Sequence, residues 1–460
     1  MKKNDKIVIL VIIGMIMCVL SWVVSTGAFD SGKFVATELT KAGIFDYFLV
    51  LYYSFYYKCS EIFYLIVLGG TYGVLSQTKS YRKLVSKTAS LISKKEIIAM
   101  CVVTLLMGIW VSFVNTILPT LIFVPFIITV FLKRGKDKLT AASAGLGGYF
   151  IGLIGQTVGT YGLVQFSDLV GITVKDGIGA KIAMFVVAYI LFNLFAILHM
   201  KKNNKLVNDT KSDPFTTEKL DESNKAKKTH IWPIAVIFIV TFIVSVLAYI
   251  SWDTSFGVSA IQDGYTKIKD GVLMDVLGSF NAFGYWSDTL PMAFILLTIA
   301  IIVSLIDRVN INDFMGNFAD GIRKSGKAIL GYVFALSIFI VSYFFDWPIA
   351  LLSFILNDGT FNVISIVVLG ICAAFFYVDP DYVGYQLGTH LSIVHASSIT
   401  KSIVMLKMSM GLATVFVPSS AILIYILSYL DIPYKEWIKY IWKFVLATAI
   451  AIIVIGSILL

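Results

Sequence analysis

Two polar interruptions in apolar sequence have the makings of a binding site. "NTILPT" runs from Asn115 to Thr120 and "VPSSA" from Val417 to Ala421, each setting a proline beside small hydroxyl residues in an oily stretch. A helix broken in lipid leaves N–H and C=O groups unpaired at several kcal/mol each, so a break persists only where protein or a water-filled cavity satisfies them. The open ends then have a use. Half-helix N-termini offer partial positive charge to an anionic group, and unwound carbonyls can hold a cation. Asn115, Thr116, Thr120, Thr414, Ser419 and Ser420 add uncharged donors and acceptors. Gln156, Thr157 and Thr160, in the kink "GQTVGTYG" (Gly155–Gly162), are placed to line the same cavity. The plainer reading of one such break is a proline kink whose Ser and Thr bond their own helix. Two breaks near matching ends of the chain favour a site.

Lys407, in "IVMLKMSMGLA", is the other unusual residue. A lysine well inside a span costs about 2.5–3.5 kcal/mol on insertion scales. It would hold a substrate carboxylate or stand in for a bound cation, and the alternative is a lysine snorkelling from a helix end. His390 and His395 fall in a polar stretch read as a loop, where a solvated pair is the simpler expectation than a proton shuttle. The four cysteines are scattered, with no Cys-x-x-Cys, so neither a metal site nor a disulfide framework is expected. "GIRKSGKA" (Gly321–Ala328) nearly matches a phosphate-binding loop, but it ends in Ala and follows no strand. No catalytic constellation is visible, so no enzyme is expected, and no cofactor beyond a coupling Na+ or H+.

The elements that must position these residues are membrane helices. The chain has 460 residues, 58% hydrophobic and 14% charged, against about 25% charged in a soluble protein. Its mean hydropathy is +0.85. Apolar runs such as Ile7–Val24, Ile231–Trp252 and Ile441–Leu460 are long enough to cross about 30 Å of hydrocarbon. The fold class is therefore an all-α polytopic membrane protein of about eleven to thirteen membrane segments, some of them half-spans. The net charge of +9 reads as lysines gathered at span ends rather than a nucleic-acid surface. The first helix reads as uncleaved, with its N-terminus in the cytoplasm and the protein in the cell membrane. Residues 1–200 form a first half and 231–460 a second. Between them, 201–230 is a lysine-rich cytoplasmic linker with almost nothing to bury. Further expected features are an interfacial or short entry helix at Gly43–Tyr57, a basic amphipathic one at Lys79–Lys95 and an interfacial one at Asp307–Lys327. A span at Ala328–Phe345 and a polar loop at Asp379–Ser402 complete the pattern.

Laid without gaps, Val114–Ala141 matches Ala413–Tyr440 in pattern more than in identity. Pro119 meets Pro418, Thr120 meets Ser419 and Asp137 meets Glu436. Polar break, proline, apolar run and charged turn recur in order, which suggests an inverted repeat of the transporter kind.

The chain also resembles the C4-dicarboxylate anaerobic carrier family, of the DcuC and YfcC type, within the ion transporter superfamily. "GLATVFVPSSAILIYILSYLDIPYKEWIKY" (Gly411–Tyr440) is similar to the family's Gly-Leu-Thr-Asn-x-x-x-Pro-Thr-Ser stretch and the Val-Pro-Tyr-x-x-Trp that follows it. "GGTYGVLSQT" (Gly69–Thr78) and "SWVVSTGAFD" (Ser21–Asp30) resemble two more family stretches, the second with Ser25 in place of proline. The resemblance implies cation-coupled secondary transport of dicarboxylates or amino acids. It also implies re-entrant hairpins meeting at the substrate, around Asn115–Thr120 and Thr414–Ser420, and a homodimer. Thr414 stands where the family has Asn, and "VNT" (Val114–Thr116) where YfcC-like members carry Glu-Glu-Thr. Loss of acids from the centre, together with Lys407, argues against a cationic substrate. The expected function is transport of a small carboxylate-bearing metabolite. A basic amino-acid antiporter is the alternative if Glu61, Asp346 or Asp379 reaches the cavity. A channel or a non-transporting subunit is the reading from another class.

Overall fold

The computed structural model describes residues 5–30, 33–203, 214–215, 230–269, 275, 281–356 and 361–460. Most of the expected linker at 201–230 lies outside them, as does part of the loop before Leu290.

Helix α1 (Asp5–Leu20) leads through a small antiparallel pair, β1 (Gly27–Asp30) and β2 (Lys33–Ala36), to α2 (Ile44–Tyr57), α3 (Cys59–Gln77) and the amphipathic α4 (Lys79–Leu91). The first half continues with α5 (Glu96–Phe113), a 3-10 turn (Leu118–Phe123), α6 (Val124–Lys133), α7 (Lys138–Gly155), α8 (Val164–Val170) and α9 (Ile178–Lys202). The second half has α10 (Trp232–Tyr249), the short α11 (Trp252–Phe256) and α12 (Ala260–Ile268), α13 (Leu290–Asp307) and α14 (Ile311–Phe345). It ends with α15 (Pro348–Ile355), α16 (Val363–Phe376), α17 (Pro380–Val394), α18 (Ile399–Ala413), α19 (Ala421–Tyr429) and α20 (Tyr434–Ile458). Seven helices among the described residues are long and apolar enough to span a membrane. The chain is a multi-pass helical membrane protein.

Contacts fix two faces. At the near face, where α1 begins, Lys6 Nζ donates to Leu427 O (3.0 Å) and Ile432 O (2.8 Å), and Lys327 pairs with Asp431. Also at this face, α20 starts beside His199, whose ring lies 4.6 Å from that of Tyr440 and whose Nε2 is 2.9 Å from Asp137. At the far face the ring of Phe29, in β1, stacks on His390 at 3.6 Å, and Gly177 meets Val404 and Leu460.

The four interrupted elements follow from these anchors. Arg134, just after α6, pairs with Glu96 at the start of α5 (2.8 Å), so α5 and α6 form a hairpin open to the near face. The Phe361 and His395 rings, 5.6 Å apart, bring the base of α16 to that of α17, a second hairpin open to the far face. After hairpin one, α7 and α8 cross from near to far with a break between them. After hairpin two, α18 and α19 cross from far to near. The order repeats and the direction inverts.

This corrects the overlay of the two proline breaks. "NTILPT" is the tip of a hairpin, whereas "VPSSA" interrupts a helix that carries on across, so the hairpin expected at Thr414–Ser420 is a broken crossing helix. The structural counterpart of Asn115 is the tip at Tyr377–Asp379, and that of "VPSSA" is "GQTVGTYG". The sequence signal was the same because both cases expose backbone and need small polar residues. The polar loop expected over Asp379–Ser402 is instead helix α17, started by Pro380 behind an Asp379 cap whose carboxylate accepts from Asp381 N (3.0 Å). His390 and His395 are accordingly buried rather than solvated. The interfacial helix and span expected over 307–345 are one 35-residue helix. Its small residues pack on α3: a Cβ on Gly73 would meet Gly321 Cα at 2.5 Å and one on Gly69 would meet Ser325 Oγ at 2.0 Å. Close approach compensates the low helix propensity of glycine.

Candidate functional site

All four interruptions converge on one cavity of about 750 Å³. Hairpin one brings Asn115 and Thr116, the break after α7 brings Thr160 and Tyr161, hairpin two brings Val378 and Asp379, and the break after α18 brings Thr414 and Ser420. The opposite wall comes from α3 with Lys58 and Glu61, α14 with Tyr332 and Phe339, and the segments around Ser251 and Asp288.

At three of the four interruptions, backbone groups find specific partners. At hairpin one, Asn115 N donates to Tyr249 O (2.9 Å), and Thr116 Oγ1 donates to Ser287 O (3.1 Å). Asn115 Nδ2 lies 3.5 Å from Ser251 Oγ, while its buried Oδ1 has no hydrogen-bond partner among the described residues. After α7 the chain turns at Gln156, which takes a positive φ of 30°. Gly159 N then donates to Ser112 O (2.9 Å), and both Gln156 Nε2 and Lys407 Nζ (3.1 Å) donate to Tyr161 O. After α18 the freed carbonyls of Val415 and Phe416 accept from Trp437 Nε1 (2.8 Å) and Tyr434 OH. The "IPYKEW" segment therefore closes the break from the next helix, a role visible only once α20 lies alongside.

Of the ten site residues expected from sequence, Asn115, Thr116, Thr160, Thr414 and Ser420 line the main cavity. Gln156 and Lys407 line a small side pocket that shares Tyr161, Val378, Thr414 and Ser420 with it. Lys407 is buried in mid-helix and does not snorkel; its ammonium serves an unwound carbonyl, as a bound cation would. Thr120, Thr157 and Ser419 are not part of the lining. Thr120 Oγ1 donates to Ile117 O (2.7 Å), Thr157 Oγ1 is 3.2 Å from Ser112 Oγ, and Ser419 Oγ donates to Ala374 O (3.4 Å). Their hydroxyls repair the breaks.

The charges revise the expectation of an acid-free centre. Glu61, Asp288, Asp379 and Asp381 line the cavity against Lys58. Three of these acids serve helix starts: Asp288 accepts from Leu290 N (3.1 Å), Asp379 caps α17, and Asp381 Oδ1 lies 3.4 Å from Gln165 N. Glu61 differs, lying between Lys58 Nζ (3.0 Å) and the Tyr332 hydroxyl. The sequence offered Glu61 and Asp379 only as candidates and did not point to Asp288 or Asp381, because the four acids come from three distant segments. The start of α19 has no side-chain cap, and Ser420, Ala421 and Ile422 line the cavity, so its first N–H groups are open to a ligand. Asp346, the third acid considered from sequence, is not in the lining. Among the described residues no group of His, Cys, Asp or Glu is placed to hold a metal ion.

Comparison with known proteins gives a family. The model of the C4-dicarboxylate anaerobic carrier family matches residues 4–460. No curated protein matches the chain. Among solved structures, the YdaH transporter of Alcanivorax borkumensis, described as having an unusual topology, is similar over 98% of both chains at 11% identity. Its TM-score of 0.39 is too low to carry detail across.

Proposed function

Because the chain belongs to the C4-dicarboxylate anaerobic carrier family, we propose that it is a secondary transporter whose cargo carries an amino group as well as a carboxylate. That it is a transporter, and not an enzyme, follows from the family. The observation that carries the finer reading is the cavity where two hairpin tips and two broken helices meet, with chemistry for both groups. A carboxylate fits the open N–H groups at the start of α19; the nearby Thr414 and Thr116 hydroxyls donate to Gly411 O (2.6 Å) and Ser287 O (3.1 Å) and offer a cargo their acceptor oxygens. An ammonium fits the side bearing Glu61, Asp379 and Asp381. Alternating access would move the interrupted elements against the wall built by α3 and α14, with Na+ or H+ as coupling ion. The lysine-rich ends of the chain's spans support a cytoplasmic-membrane protein with the start of α1 inside.

A second reading has its own support. Four carboxylates against one lysine in the lining favour a cargo with net positive charge, as in basic amino-acid antiport. Counterflow in proteoliposomes separates the readings. Vesicles loaded with arginine, aspartate or succinate should exchange at least one amino acid several times faster than succinate. Arginine alone would select the antiporter. Succinate alone would overturn the amino-group reading in favour of a dicarboxylate carrier, and exchange of none would count against carriage of all three cargo types.

A further inference from the structure

Asp346 is a half-buried acid that the binding site does not use. It follows the last turn of α14, where the unpaired carbonyls of a 35-residue helix put partial negative charge. Its Oδ1 accepts from Tyr377 OH at 2.6 Å and its Oδ2 from Gln386 Nε2 at 2.7 Å. Gln386 Nε2 also donates to Tyr382 OH at 2.9 Å. Both of its partners belong to hairpin two. Tyr377 directly precedes the tip residues Val378 and Asp379 that line the cavity, and Gln386 lies on α17. Asp346 thus ties the α14 wall to a hairpin that must move if the cavity is to open in alternation.

The surroundings are otherwise neutral. The titratable groups facing Asp346 are Tyr377 and Tyr382 of hairpin two. Tyr343, one turn back on α14, packs on the Tyr382 ring at 5.4 Å. Trp347 and α15 offer no charge, and no described lysine, arginine or histidine is within ion-pair distance of Asp346. Without a cation, its state of charge is decided by partial burial, the helix end and two neutral donors. Hydrogen bonds to an ionised acceptor are roughly twice as strong as neutral ones. The carboxylate therefore grips Tyr377 and Gln386, and the protonated acid holds them weakly.

We infer that Asp346 is the proton-coupling residue of this transporter, acting as a clamp on hairpin two that protonation releases. In each cycle one carboxylate oxygen gains a proton and forms an O–H bond, the two donated hydrogen bonds weaken, and hairpin two parts from α14. Loss of the proton to water restores the clamp. Asp346 is a positioning residue: it does not touch the cavity and acts on the cargo through Tyr377 and the tip.

The test uses the full-length protein in liposomes, with arginine and aspartate as probes. It rests on the transport reading for one readout and not for the other. A tenfold proton gradient is worth about 1.4 kcal/mol per proton, enough for about tenfold accumulation. Wild type should accumulate a probe under that gradient. Asp346→Asn should keep gradient-free counterflow within about threefold and accumulate nothing; accumulation equal to wild type would overturn the proposal. Gln386→Ala keeps the titrating group and loosens the clamp, so the pH profile of exchange should shift, and an unmoved profile would also overturn it. Infrared titration needs no cargo. A protonated-carboxyl band that titrates in wild type should vanish in Asp346→Asn and return in Asp346→Glu, and its persistence in Asp346→Asn would sink the idea. Wild type that moves neither probe would defeat the amino-group reading of the cargo, while the infrared result would still decide the role of Asp346.

Discussion

Hairpin one and hairpin two have the same plan, and they are held in different ways. The tip of hairpin one is tied by backbone: Asn115 N bonds Tyr249 O, and Val114 bridges Ile250. Its polar residues are uncharged. The tip of hairpin two is tied by a carboxylate, through Tyr377 and Gln386 to Asp346, and its own acids cap helices. A backbone bond does not titrate, whereas a carboxylate clamp does. One hairpin is therefore built as a fixture and the other as a part that can let go, although both face the same cavity.

The comparison can be broken most severely where hairpin one meets the unwound segment after α7. A Cβ on Gly159 would lie 2.7 Å from Val114 O and 2.8 Å from Ser112 O. Backbone cannot yield as a side chain can, so Gly159→Val should cost at least about 1–3 kcal/mol. It should abolish exchange and lower the thermal denaturation midpoint in detergent. A variant with wild-type midpoint and exchange would show that the segment is not held as described.

A smaller effect is expected from removing single polar groups that face the cavity. Asn115→Ala and Thr414→Ala should each slow counterflow roughly tenfold, the worth of one well-placed buried hydrogen bond to cargo. The loss should be the same at every pH, in contrast to the pH-linked defects expected at hairpin two. A pH-dependent loss in Asn115→Ala would erase the distinction between the hairpins.

Smallest of all should be the effect of hydroxyls that only repair a break. Thr120→Ala and Ser419→Ala should each lower stability by about 0.5–1.5 kcal/mol and change exchange less than twofold. A tenfold fall in exchange for Thr120→Ala would put it back in the binding site.

Much of this was legible in the sequence. Apolar length determined the spans, because hydrocarbon thickness sets how many oily residues a crossing helix needs. Proline among small hydroxyl residues marked two of the four breaks, and the glycine-rich "GQTVGTYG" marked a third. The tip at Tyr377–Asp379 escaped notice because its tyrosine and acids look like ordinary loop residues. Lys407 stood out because a buried charge in lipid demands a partner, and Tyr161 O is that partner. The split among Thr116, Thr120, Ser419 and Ser420 was not legible. Each is a small hydroxyl residue at a break, and which ones turn toward the cavity depends on helices far away in the chain.

The sequence by itself determined that this protein is a bundle of membrane helices with polar interruptions, because insertion into lipid depends on local apolar content. The tertiary structure alone decided which interruption is a hairpin tip and which a crossing helix. A break states only that backbone groups need partners, and it carries no record of the direction the chain takes next. Tertiary packing likewise decided that Glu61, Asp379 and Asp381 share a cavity, that Trp437 and Tyr434 close the break after α18, and that Asp346 holds hairpin two. Each of these pairings joins residues that lie close only after the helices pack.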